Sequence, residues 1–98
     1  MDSASDVEWE LAEGSRLHWI SWDDEYVIFD EGSGDTHLLD LMTAEVLRAL
    51  EQSPGAESAL IERVAVRLDI DPDAALERRI REAIQKFREA GLVQPTQP

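Results

Sequence analysis

Cysteine is absent from the 98 residues, which removes disulfides, thiolate metal sites and thiol catalysis and leaves a core held by packing alone. Long apolar runs are absent too. No stretch reaches the roughly 18 uninterrupted apolar residues of a membrane span, and the opening MDSASDVEWE lacks the basic and apolar regions of a signal peptide. A soluble, cytoplasmic protein is expected. Positive charge is scarce in the first part of the chain: residues 1 to 40 hold twelve acids against Arg16 alone, whereas 41 to 98 hold ten acids and eight bases, within a net charge of −13. Such a field repels phosphate backbones and anionic headgroups, so neither nucleic acid nor membrane is an expected partner. Catalytic constellations are missing as well. The only histidines, His18 and His37, stand in no nucleophilic or metal-binding pattern. The acids Asp23, Asp24, Glu25, Asp30, Glu31 and Asp35 have no EF-hand spacing. They are read as solvated turn residues, and no metal, cofactor or enzymatic activity is expected.

What is present is organised around Glu25 to Asp40, EYVIFDEGSGDTHLLD. Tyr26-Val27-Ile28-Phe29 is a β-branched and aromatic run, Gly32-Ser33-Gly34 tolerates the positive φ of a tight connection, and Thr36-His37-Leu38-Leu39 returns as a short strand. With an alternating strand from Leu17 to Trp22 and a turn at Asp23-Asp24, residues 17 to 39 read as a three-stranded antiparallel meander. Val7, Trp9 and Leu11 suit either a further strand that extends this sheet or a loop segment pinned by the Trp. Three helices follow: Leu41 to Gln52, capped by Asp40 or Thr43; Glu57 to Leu68, after the Ser53-Pro54-Gly55 break; and Pro72 to about Ala90, capped by Asp71 and closed by Gly91. Strands followed by helices predict an α+β, winged-helix-like single domain over 1–98, with frayed ends at 1–6 and 94–98.

The third helix carries five of the nine bases. Leu76, Ile80, Ala83, Ile84 and Phe87 form its apolar stripe, Arg79 and Lys86 flank one edge of it, and Arg81 and Arg88 flank the other. A basic helix beside a hairpin invites a DNA-recognition reading, but the hairpin's acids oppose it. The strand Thr36 to Leu39 reads either as a sheet edge whose N–H and C=O groups can pair with an extended peptide, one of Leu38 and Leu39 serving the core and the other the groove, or as an edge that is covered or merely short. The competing reading is a dimerisation or scaffolding module that uses Trp9, Trp19 or Trp22 as its contact.

The run YVIFDEGSGDTHLLD, then TAEVLRALEQ, a second amphipathic helix and a third ending in FREAGLV resembles the PqqD-like peptide chaperones, or RiPP recognition elements, over about Trp19 to Val93. The Trp-rich lead-in and Ser33-Gly34-Asp35-Thr36-His37 are most similar to the subgroup found with a kinase related to the HPr kinase. Asp40 stands where the family commonly has Asn, and Ser53-Pro54-Gly55 replaces its usual Asp-Gly. The resemblance implies a non-enzymatic domain that captures the leader segment of a ribosomally made precursor peptide and presents it to a modifying enzyme; a monomer or weak homodimer is expected. It implies peptide contacts at Thr36, His37, Leu38, Leu39, Leu76, Arg79, Ile80, Ala83 and Lys86, with Arg81 and Arg88 as the alternative basic edge.

Overall fold

The computed structural model describes residues 7–23 and 25–96; the side chain of Trp22 and the expectations placed on 1–6, Asp24, 97 and 98 lie outside the described residues. The elements are β1 (Glu8–Leu11), β2 (Leu17–Trp22), β3 (Glu25–Asp30), β4 (Asp35–Leu39), α1 (Leu41–Gln52), β5 (Gly55–Ala56), α2 (Glu57–Leu68), α3 (Ala74–Glu89) and β6 (Val93–Pro95). An antiparallel β2-β3-β4 meander feeds three helices, the expected α+β, winged-helix-like order.

Three expectations about the elements are corrected. β1 does not extend the meander; it is the centre strand of a second sheet, β5-β1-β6, because Trp9 and Leu11 pack on the helical core and the strand finds its partners in the α1–α2 connection and the C-terminal segment. The tail expected from Gln94 is therefore strand through Pro95, and the Thr96 amide donates to the Glu8 carbonyl at 2.9 Å. Finally, α3 starts two residues later than expected. Asp73, not Asp71, is its N-cap and accepts from the Leu76 amide at 2.9 Å.

The remaining boundaries follow local chemistry. Asp40 caps α1 by accepting from the Thr43 amide at 2.8 Å. Arg63 on α2 donates to the carbonyls of Ser53 and Pro54 and so ties down the α1–α2 connection. At the end of α3, Gly91 takes φ +79° while its amide reaches the Arg88 carbonyl and the Leu92 amide reaches that of Phe87, a Schellman closure that turns the chain into β6.

The core lies between the helices and one face of the meander. Val46, Leu47 and Leu50 of α1, Leu60 and Val64 of α2, and Leu76, Ile80, Ile84 and Phe87 of α3 are buried against Ile28 and Leu39. Trp9 and Trp19 pack on this cluster. Arg88 lies over the Trp9 ring, Arg48 lies over the Trp19 ring, and the Trp19 indole donates to Glu51. These two tryptophans are engaged with their own fold, which disfavours both as the contact of a Trp-mediated scaffold.

Asp30 departs from the solvated role read for it. It is buried at 3% exposure and accepts from the amides of Arg16 (3.1 Å) and Gly32 (2.9 Å) and from the Ser33 hydroxyl (3.2 Å), so it fixes the β3–β4 turn from within. Burial alone would raise its pKa; the three hydrogen bonds, with His37 nearby, outweigh that and hold it below the ordinary 3.8.

Candidate functional site

The meander ends in β4, which pairs with β3 on one side and has no strand on the other among the described residues. Which backbone groups face the open side follows from the pairing. The Glu31 amide donates to the Arg16 carbonyl at 2.8 Å, so Leu17 and Asp30 are a non-hydrogen-bonded pair and the ladder alternates from there. Phe29 and Val27 spend their backbone groups on β2; Ile28 and Tyr26 spend theirs on His37 and Leu39, and Asp30, opposite Asp35, takes the Gly34 amide on its carbonyl at 2.7 Å. The N–H and C=O of Thr36 and Leu38 consequently point to the free edge, and among the described residues neither has a backbone bond outside the sheet.

Side chains of β4 alternate across the sheet. Leu39 is buried on the helical side, where His37 also lies, its Nε2 buried with no hydrogen-bond partner among the described residues. Leu38 is on the opposite face at 67% exposure. Of the two leucines, then, Leu39 serves the core and Leu38 faces outward, while its backbone lies at the edge.

Asp40 connects this edge to α3. Its carboxylate stands 3.9 Å from the Arg79 guanidinium. Its pKa is lowered first by hydrogen bonds from the Thr43 amide and hydroxyl, then by the charges of Arg79 and Lys86. The Arg79/Lys86 edge of α3 thus lies beside the end of β4, the two bases spaced about 10 Å along the helix axis at seven residues' rise. The other basic edge is engaged elsewhere: Arg81 pairs with Glu57 of α2 at 3.3 Å, and Arg88 lies over Trp9. This separates two edges that the sequence left equivalent.

The residues read as contacts are not all equally accessible. Thr36 and Leu38 present edge groups, and Arg79 and Lys86 are exposed on the adjoining helix edge. Leu76, Ile80 and Ala83 are at most 5% exposed; their side chains are core, and they hold α3 in position rather than line an open surface. Asp40 went unread as a site residue because its N-cap role accounted for it locally. Only the fold brings it to Arg79.

His18 and His37 lie on opposite faces of the meander, His18 being paired to Glu31 at 3.1 Å. Among the described residues, no group of three or more His, Cys, Asp or Glu could hold a metal ion, and no helix is long and apolar enough to cross a membrane.

The comparisons agree with this architecture. The solved complex of TbiB1 with the TbiA(beta) leader peptide matches at a TM-score of 0.65 and 16% identity, over 87% of this chain and 94% of TbiB1, a likeness of fold. No curated protein matches. The family model for coenzyme PQQ synthesis protein D (PqqD) matches residues 25–93, from the first residue of β3 to the first of β6, so the chain belongs to the PqqD family.

Proposed function

We propose that the chain is a non-catalytic peptide-binding chaperone that captures the leader segment of a ribosomally synthesised precursor peptide by strand addition and presents it to a modifying enzyme. The observation that carries this reading is the open β4 edge, with the outward N–H and C=O groups of Thr36 and Leu38 beside the bases Arg79 and Lys86. An extended peptide offers matching donors and acceptors along its whole length, so strand addition captures it with little demand on side-chain identity. Selectivity comes from α3, where Arg79 and Lys86 meet acidic leader side chains and Arg79 exchanges Asp40 for the ligand. Leu76, Ile80 and Ala83 support this helix from beneath. Membership of the PqqD family and the peptide held by TbiB1 support the reading.

The test is an amide NMR titration of labelled protein with synthetic leader segments of small peptides encoded beside its gene. Shifts are expected at Thr36 to Leu39 and along the Arg79/Lys86 edge. Leu38→Pro removes an amide that makes no bond within the sheet, so the fold survives at this edge position and peptide binding is lost. Unchanged affinity in folded Leu38→Pro would exclude pairing through that amide. Arg79→Glu should weaken an acidic leader more than Arg81→Glu does; the reverse order would move the ligand to the other edge of α3.

A further inference from the structure

The face of the meander turned away from the helices has no covering element among the described residues. Alternation from the buried residues places His18 and Ile20 of β2, Val27 and Phe29 of β3, and Thr36 and Leu38 of β4 on this face, in the cross-strand rows His18–Phe29–Thr36 and Ile20–Val27–Leu38. Ile20, Phe29 and Leu38 are 47%, 37% and 67% exposed; Ile20 and Leu38 flank Val27 in one row and Phe29 stands in the next. Three large apolar side chains gathered on one sheet face, rather than scattered, mark an interaction surface.

Charge chooses the occupant. Glu25 continues the face beyond Val27 at one end, and Glu31, held by His18 and Arg16, stands at the other. Residues 16–40 as a whole carry seven acids against Arg16. A second copy laid on this face would oppose acids to acids. A partner with an apolar centre and a rim of Arg and Lys meets both features. The face is also continuous with the β4 edge, because Leu38 belongs to it by its side chain and to the edge by its backbone.

We propose that this outer face is the docking surface for the modifying enzyme, which offers it an apolar patch rimmed by basic residues. The inference rests on the chaperone reading above. An enzyme seated here sits alongside the captured strand, and the helical side of that strand stays with α3.

Calorimetry with the purified modifying enzymes encoded beside the gene tests it, alongside titration of the leader peptide. Ile20→Thr with Phe29→Thr places β-branched residues at both strand positions while removing apolar bulk, and Glu25→Lys reverses the rim. Both variants are expected to bind leader like the parent but to bind enzyme roughly tenfold or more weakly, and enzyme affinity of the parent should fall with added salt. Should the apolar pair fail to fold, Glu25→Lys carries the test by itself. Undiminished enzyme binding by a variant that still takes the leader overturns the docking surface alone. A parent dimer that the variants abolish would give the face to a second copy and also overturn it. Loss of leader binding by the parent would instead overturn the function on which the inference rests.

Discussion

Asp30 is a carboxylate at 3% exposure with three donors converging on it, and the β3–β4 turn is built around that charge. Replacing it with Ala leaves the Arg16 and Gly32 amides without their acceptor in a partly buried site, a loss of about 2 kcal/mol. Thermal melts of Asp30→Ala at neutral pH should show it. The sign of the pH dependence follows from the lowered pKa. The stabilisation is complete above the ordinary value of 3.8 and disappears as pH falls through the folded value beneath it, so parent and variant converge in strong acid. A gap that stays constant down to low pH would mean the ionised form contributes nothing. The sequence offered no means of separating Asp30 from Glu31 and Asp35, which flank the same glycines. Three acids near a turn look alike until Arg16, fourteen residues earlier, is seen to donate to one of them.

At the scale of elements, α1 and α2 were legible to the residue, since each has an amphipathic stripe bounded by a break in the chain. The start of α3 was not. Asp71 and Asp73 both suit an N-cap, and Pro72 favours the first, but the observed choice places Leu76 at the third helical position, where its amide meets the Asp73 carboxylate. The second sheet was illegible for a different reason: β1 pairs with residues some eighty positions away, and β5 is two residues long, too short for any periodicity. Of the candidate site, the strand and the basic helix could be read, but the choice of edge depended on Asp40 and Glu57 arriving from other elements. The exit of α3 gives a clean test. Gly91 sits at φ +79° with open space where a Cβ would go, so Gly91→Ala costs only backbone strain, roughly 1 kcal/mol. Asn, which accepts this conformation more readily, should recover part of the loss in melting temperature; equal losses for both would point to contacts rather than strain.

For the whole molecule, the net charge of −13 works against compactness. Ion pairs such as Arg79–Asp40 are largely exposed and contribute little, so screening relieves more repulsion than it removes attraction. Sodium chloride at about 0.2 M, where the Debye length is below ~10 Å, should therefore raise the melting temperature; a decrease would show that local pairs outweigh the global field. The β5-β1-β6 sheet has a further consequence. Because the Thr96 amide bonds to the Glu8 carbonyl, the path of the chain enters and leaves the fold at nearly the same point. Such a fold can be spliced into a loop of a host protein without prising the host's strands apart, or joined end to end and reopened at the β3–β4 hairpin as a circular permutant.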